Sequence, residues 1–452
     1  MTGSGDKSLP LQPLQEQSLP LQASPGASRW AAAGPSLLVV AVEASGDLHA
    51  AAVLRELNLL RPGIQAFGAA GPLLRAEGCE ALVKAETLGV MGIAEVLPAL
   101  PRLWRAFRTL LQAARERRPG AALLVDSPDF NLRLAARLRP LGEGPRVVYF
   151  IGPSVWAWRT YRVRQIARDV FRMLVILPFE EAFYAAHGVR ATYVGNPLVD
   201  RLLAPTLPAG PGPAPLAERA APTSTSAALG PSAARAPLDL PARLAQRAAL
   251  GLDPARPVLA LLPGSRRQEL RRLWRPLLEA GQILLEESPG LQLVVPVAPS
   301  VERAPLEAEA SALGLTPTFL EGRAAELLSC ADAAAVASGT ATLEAALEGV
   351  PLVVVYQTSW LTWLVGRLLV RVRFVSLVNL LAGRALVPEL LQRACTPERI
   401  AAALRLLLAV GPERREQLRG FDELRALLAP PGQVHAARRA AQELLSVLDE
   451  AP

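Results

Sequence analysis

An α/β protein made of two doubly wound, Rossmann-like halves facing a central cleft is the fold this sequence predicts, on three observations. Short apolar runs of strand length recur, each entering a Gly- or Pro-containing turn and then a stretch of helical periodicity, the repeat of a buried parallel sheet. The composition agrees, since 51% of the 452 residues are apolar but only 5% aromatic, with Ala, Leu, Val and Arg dominant, as in sheets covered on both faces. The repeats also fall into two series, separated by a stretch from Leu202 to about Ala242 that is dense in Pro, Ala, Gly, Ser and Thr. A chain of this length is enough for about two to three domains with well-buried cores.

The net charge of +7 is carried almost wholly by Arg, Lys7 and Lys84 being the only lysines. Such a balance favours anionic partners: nucleic acid, phosphorylated substrates or an anionic membrane face. No basic cluster is interleaved with aromatics, so nucleic acid is not expected. Cys79, Cys330 and Cys395 are odd in number and widely spaced, which predicts neither a disulfide framework nor a zinc site and makes a reducing cytoplasm the expected compartment. No His/Asp/Glu cluster marks a metal site, and no metal or cofactor is expected. No signal peptide and no membrane span are expected either; the closest run, Leu361 to Leu381, is broken by Arg367, Arg371 and Arg373 and predicts a helix running into a strand.

In chain order, residues 1–35 contain Ser8-Leu-Pro-Leu-Gln12 and its repeat Ser18-Leu-Pro-Leu-Gln22 and read as a disordered low-complexity tail. The first half, 36–201, begins with the strand Ser36–Val42, the turn Glu43-Ala-Ser-Gly-Asp47 and a helix through Leu48, Ala51, Leu54 and Leu57. The turn lacks the GxGxxG pattern, which argues against a dinucleotide site. Further turns are expected at Phe67-Gly-Ala-Ala-Gly-Pro72 and Gly89-Val-Met-Gly-Ile-Ala-Glu-Val-Leu97. From Leu97 to Leu111 apolar residues alternate in helical phase with Arg102, Arg105 and Arg108. Such a helix either lies on a membrane or keeps its arginines in solvent at the protein surface. Two strands, Ala121–Val125 and Val147–Ile151, end in Asp126-Ser-Pro-Asp-Phe-Asn131 and Gly152-Pro-Ser-Val-Trp-Ala-Trp-Arg159, which puts polar groups at the edge where open α/β sheets bind ligands.

After the flexible insertion at 202–242, a second half, 243–420, opens with the strand Val258–Leu262 and the turn Pro263-Gly-Ser-Arg266. Its most informative stretch is Val336-Ala-Ser-Gly-Thr-Ala-Thr-Leu-Glu-Ala-Ala-Leu347, a strand end, tight turn and helix start. Gly339 allows close backbone approach, and Ser338, Thr340 and Thr342 bring hydroxyls beside the unpaired N–H groups of the first turn, a seat for phosphate oxygens. Glu344 lies about one turn further in, placed to accept hydrogen bonds from two vicinal ribose hydroxyls. An ordinary capped helix on a parallel sheet would look the same over this stretch alone. The helical remainder, 421–452, is expected to pack back on the first half.

Taken together, these stretches resemble the lipid-A-disaccharide synthase family, glycosyltransferases of the GT-B fold. The resemblance rests on Glu43-Ala-Ser-Gly-Asp-Leu-His49, Met91-Gly-Ile-Ala-Glu-Val-Leu97, Asp126-Ser-Pro-Asp-Phe-Asn131, Pro153-Ser-Val-Trp-Ala-Trp-Arg159, Pro178-Phe-Glu180, Leu262-Pro-Gly-Ser-Arg266, Ser338-Gly-Thr-Ala-Thr-Leu-Glu344 and Asn379-Leu-Leu-Ala-Gly383 with Val387-Pro-Glu389. The series is strong, although a lone Ser-Gly-Thr would be weak. Departures stand at Val42 for Gly, Gly152 for Ser, Asn196 for His and Val378 for Pro.

The resemblance implies transfer of a 2,3-diacylglucosamine unit from its UDP derivative to 2,3-diacylglucosamine 1-phosphate, forming a β-1,6 linkage at the cytoplasmic face of the inner membrane. It implies Asp126 as the acid-base residue and Arg266 as the diphosphate partner. Gly264, Ser265, Ser338, Gly339, Thr340 and Glu344 complete the expected nucleotide site. Glu43, Ser45, Gly46, Asp47, Asn131, Ser154, Trp156 and Asn379 are expected around the acceptor, with Trp156 and Trp158 either packing residues or sugar platforms. Met91, Val96, Leu97, Leu103, Trp104 and Phe107 are the expected lipid contact. Rival readings are another UDP-sugar enzyme of the same fold and a non-catalytic nucleotide- or lipid-binding relative; oligomerisation is open.

Overall fold

A computed structural model describes residues 35–88, 93–139, 144–203, 238–360, 363–364, 372–429 and 434–450, with side chains of 93–99 and 202–203 left undescribed. The expected N-terminal tail, Met91 and most of the expected insertion lie outside the described residues, as do the side chains of Val96 and Leu97.

The first sheet has seven parallel strands, and each connection is helical or short. In order the elements are β1 (Ser36–Ala41), α1 (Ala44–Leu60), β2 (Gln65–Ala70), α2 (Pro72–Ala76), β3 (Glu80–Lys84), α3 (Ile93–Arg117), β4 (Ala121–Val125) and α4 (Pro128–Leu138). They continue with β5 (Arg146–Phe150), α5 (Arg162–Asp169), β6 (Arg172–Val175), α6 (Pro178–Ala185), β7 (Ala191–Tyr193) and the crossover helix α7 (Pro197–Leu203). The strand order is β3-β2-β1-β4-β5-β6-β7. The order reverses between β1 and β4, which pair with Ala41 opposite Val125.

The second sheet repeats the plan with six parallel strands. Its elements are α8 (Leu240–Ala249), β8 (Val258–Leu262), α9 (Arg267–Glu287), β9 (Gln292–Val297), α10 (Arg303–Ala312), β10 (Thr318–Glu321) and α11 (Ala324–Leu328). Then come β11 (Ala333–Ala337), α12 (Thr340–Leu347), β12 (Leu352–Tyr356), α13 (Leu377–Ala382), β13 (Glu389–Leu391), α14 (Pro397–Leu408), α15 (Pro412–Leu428) and α16 (Ala436–Asp449). The order is β10-β9-β8-β11-β12-β13, reversing between β8 and β11, where Leu262 lies opposite Val336.

The strands are buried on both faces, which is why they read as continuous apolar runs; Leu37 to Ala41 and Val258 to Leu261 are all 0% exposed. Helix α16 returns to the first sheet, where Ala440, Ala441, Leu444 and Val447 join Leu54 and Leu57 of α1 in one core. Arg172 on β6 ties it down through Glu443 at 2.7 Å. Helix α15 runs through residue 420, so this return begins after it.

Three expected details are corrected. Of the turn expected over Gly89–Leu97, the described part from Ile93 onward is already helix α3. Phe67-Gly-Ala-Ala70 is strand β2, not a turn. Gly68 is there because a Cβ would lie 1.9 Å from the Val39 carbonyl oxygen, so only glycine lets β2 approach β1. The segment expected to run from a helix into a strand near residue 381 instead ends, in its described part, as helix α13. Ser376 starts it by accepting the Asn379 N–H on its hydroxyl, and Gly383 closes it with φ of 66°.

Candidate active site

The four motif-bearing turns follow β1, β4, β8 and β11, and those are the strands flanking the two reversals of order. Ligands of open α/β sheets bind beyond the carboxyl ends of such strands. The first sheet thus presents Glu43–Asp47 beside Asp126–Asn131, and the second presents Gly264–Arg266 beside Ser338–Thr340.

On the first sheet, Asp126 and Ser127 are consecutive non-glycine residues in the left-handed region, with φ of 50° and 46°. Each such residue costs about 1–3 kcal/mol, so the surroundings must impose the turn. They do: the Asp126 carbonyl accepts the Tyr149 hydroxyl at 2.6 Å and the Asn131 side-chain amide at 2.8 Å. The amide of Asn131 also donates to Val125 O at 3.0 Å, closing the strand end. Asn131 is therefore a positioning residue for Asp126. Glu43, on the neighbouring turn, accepts the Ser127 hydroxyl at 2.9 Å. Burial raises the Asp126 pKa, the Glu43 carboxylate raises it further, and the Ser127 N–H pulls against both.

The remaining expected acceptor residues divide. Ser45 and Ser154 are exposed and free to face a ligand, while Gly46 is buried over the β1–β4 seam, in ordinary contact with Val125. Asp47 is not a cleft group. It is buried and accepts N–H bonds from Gly71 at 2.8 Å, Leu73 at 2.9 Å and Leu74 at 3.2 Å, capping the short helix α2. Asn379 is likewise structural: it donates to Val387 O and Glu389 and accepts from Val387 N, each at 2.9 Å. Trp156 is a packing residue. Its indole donates to the buried Glu180 at 3.0 Å and its ring meets Phe179 edge-on at 4.9 Å, both rings lying against the core of the second sheet. Burial pushes the Glu180 carboxyl up to about 7 despite the Trp156 and Leu177 donors. Trp158 is exposed, with Arg159 stacked 4.1 Å from its ring centre.

On the second sheet, Gly264 adopts φ of 102°, and a Cβ there would fall 2.3 Å from the Glu269 carboxylate. That carboxylate accepts the N–H groups of Ser265 and Arg266 at 3.2 and 3.3 Å, capping α9. Arg266 itself reaches into solvent, its side chain 83% exposed and only 3.5 Å from Glu269 at its nearest. Gly339 caps α12 in extended conformation with no side chain, and nothing lies within 4 Å of where a Cβ would sit. The helix start is therefore open to oxygens from outside, as a phosphate seat requires. Thr340 is exposed beside it. Ser338 hydrogen-bonds Val375 O at 3.4 Å. Thr342 is a correction: it is buried and its hydroxyl donates to Gly339 O at 2.7 Å, so it shapes the turn from behind and is not at the seat.

Glu344 stands one turn along α12, its side chain 30% exposed, and pairs with Arg201 of the crossover helix at 2.7 Å. Arg201 and Glu269 escaped the sequence reading. Glu269 was visible as the third helical residue after the Pro-Gly-Ser-Arg turn, a capping spacing; the pairing of Arg201 across the two sheets leaves no local signal.

The expected lipid-contact helix α3 splits by face. Leu103 and Phe107 pack on the first core with Leu110 beneath them, whereas Leu100 and Trp104 point outward at 47% and 59% exposure. Arg108 stacks on the Trp104 ring at 4.7 Å. The 3.6-residue period explains the division, since 103, 107 and 110 share one face and 100, 104 and 108 the next. No helix among the described residues is long and apolar enough to cross a membrane.

Two parallel sheets with paired turns at their switch points define a protein of the GT-B glycosyltransferase fold. A calicheamicin glycosyltransferase superposes with a TM-score of 0.51 over 92% of this chain and 99% of that one, at 16% identity. The Neisseria meningitidis UDP-GlcNAc 2-epimerase, solved with UDP-GlcNAc bound, gives 0.56 over 92% and 100%, at 12% identity. At such identity the likeness speaks for the fold alone. Within this class the chain belongs to the lipid-A-disaccharide synthase family. The family described as lipid-A-disaccharide synthetase matches residues 37–206 and 235–443. The chain is 49% identical over 413 residues to the lipid-A-disaccharide synthase of Anaeromyxobacter dehalogenans (strain 2CP-C), covering 91% of this chain and 97% of that protein. With the enzyme of Myxococcus xanthus (strain DK1622) it shares 47% over 414 residues, 92% and 98% of the two chains. It is a glycosyltransferase by membership.

Proposed function

We propose that this enzyme transfers a 2,3-diacylglucosamine unit from its UDP derivative to the 6-hydroxyl of 2,3-diacylglucosamine 1-phosphate, with inversion, forming a β-1,6 disaccharide and releasing UDP. One observation carries the reading: the strand order brings the Asp126 turn to the switch point of one sheet and the Arg266 and Gly339 turns to that of the other. Inversion needs a base on the acceptor side and positive potential on the departing diphosphate. Asp126 is the proposed base; burial and the Glu43 carboxylate raise its pKa, which makes it a better proton acceptor than an ordinary aspartate. As the acceptor oxygen bonds the anomeric carbon, its proton passes to Asp126 and the bond to the diphosphate oxygen breaks.

Arg266 and the open start of α12 hold the diphosphate, and Glu344 holds the ribose hydroxyls. Among the described residues no group of three or more His, Cys, Asp or Glu side chains is placed to hold a metal ion. We assign the charge on the leaving group to Arg266 and the backbone N–H groups at the start of α12, and activity is expected to survive a strong chelator.

The acyl chains place the reaction at a membrane surface, because each CH₂ drawn into water costs about 0.8 kcal/mol. Leu100, Trp104 and the exposed Arg102, Arg105 and Arg108 of α3 form the proposed contact with the cytoplasmic face of the inner membrane. Mass spectrometry of the product made from the two substrates tests the reading. A tetraacylated disaccharide 1-phosphate with UDP is expected; hydrolysis or epimerisation of the donor without coupling would overturn it.

A further inference from the structure

The crossover helix α7 touches three parts of the molecule through three consecutive residues. Val199 is buried in the core that also contains Leu343 of α12. Asp200 accepts the Ala436 N–H at 2.6 Å and lies 3.4 Å from His435, holding the start of α16. Arg201 then reaches Glu344 of α12 at 2.7 Å, with its side chain 52% exposed. On the first-sheet side the same guanidinium lies near His49, whose pKa is lowered to about 4 by burial and then by the Arg201 charge. His49 is thus neutral near pH 7.

A carboxylate that takes two vicinal hydroxyls uses one oxygen for each. One Glu344 oxygen is held by Arg201. We propose that Arg201 is a latch on the nucleotide site: it occupies a Glu344 oxygen, and the ribose diol must displace it to bind. The proposal rests on the assignment of Glu344 to the ribose. Displacement releases Arg201 from α12 while Asp200, its neighbour, stays bound to α16, so nucleotide entry loosens the ion pair between the crossover helix and the nucleotide helix.

A competitor lowers apparent affinity by the fraction of enzyme it holds. Half-exposed ion pairs are weak, so removing this one is expected to tighten nucleotide binding by about two- to fivefold. The test is calorimetric titration of UDP into the wild type, R201A and E344Q at low salt and at about 1 M salt, where the screening length falls to about 3 Å. R201A should bind UDP more tightly than the wild type at low salt, with the gap closing at high salt, and E344Q should bind it more weakly at both. Unchanged or weaker binding by R201A, with E344Q weakened, would overturn the latch and leave the ribose assignment standing. Wild-type affinity in E344Q would overturn the ribose assignment itself, and the latch with it.

Discussion

Replacing Asp126 by Asn separates chemistry from architecture at the proposed base. The backbone there sits at φ of 50°, held by Tyr149 and Asn131 through the main-chain carbonyl and not through the carboxylate. Asn accepts the left-handed region more readily than other non-glycine residues. The turn, and the stability, should therefore survive Asp126→Asn within about 0.5 kcal/mol. Loss of a general base costs about 10²- to 10⁴-fold in turnover, or about 2.7–5.5 kcal/mol of barrier. Asp126→Ala removes the base and also puts a Cβ-bearing residue with no local hydrogen bonding at a left-handed position, so it should lose a further 1 kcal/mol or so of stability.

The assay is UDP release under saturating donor, beside calorimetric UDP affinity and urea melts. Turnover should fall in both variants, UDP affinity in neither, and stability in the alanine alone. A companion change, Glu43→Gln, removes the carboxylate that raises the Asp126 pKa. Because the base works ionised, the acidic limb of kcat/KM should move to lower pH in this variant. Equal losses of turnover and UDP affinity in Asp126→Asn, or near-normal turnover, would refute the assignment.

Three further outcomes are expected. Asp47→Ala strips three backbone N–H groups at the start of α2 of their acceptor and should cost about 3–5 kcal/mol in urea unfolding, since each buried unpaired donor costs about 1–3 kcal/mol. Glu180 is buried with its pKa raised to about 7, so the folded state binds more protons than the unfolded one between the ordinary glutamate value and 7, and stability falls as pH rises through that window. Glu180→Gln keeps an acceptor for the Trp156 indole and should flatten that slope, read by urea melts at several pH values. Leu100→Glu with Trp104→Glu should weaken binding to anionic vesicles by well over tenfold, read by sedimentation, while leaving UDP affinity and the melting temperature near wild type; unfolding of the pair would mean that this face is core.

The βα units were legible because parallel strands buried on both faces show as plain apolar runs; the turns at Asp126, Pro263 and Ser338 were legible because they interrupt those runs with polar residues. What each polar residue does was less so. Asp47 and Asp126 both follow strands in polar stretches, yet Asp47 falls in the first turn of α1, where its carboxylate caps α2 through the Gly71 N–H, whereas Asp126 sits in the left-handed turn after β4. Asn379 and Trp156 sit in motifs that resemble a family's functional stretches, but their hydrogen bonds go to Val387, Glu389 and Glu180. The α3 face was misdivided because the expected lipid contact followed apolar character, whereas burial follows the helical phase set by the sheet beneath. Of the departures from the family pattern, Gly152 has a packing reason: a Cβ there would lie 2.7 Å from Met173 and 3.1 Å from the Tyr184 hydroxyl. Asn196 donates its side-chain amide to Ile176 O and accepts the Leu198 N–H, starting α7.

The central claim is that the second sheet's switch point holds the nucleotide while the first sheet's carries the base. Hydrogen exchange of the full chain, with and without saturating UDP, measures this directly. The account predicts slowed exchange in the Leu262–Glu269 and Ser338–Glu344 segments and little change in Val125–Asn131; protection confined to Glu43–Asp47 and Val125–Asn131 would contradict it.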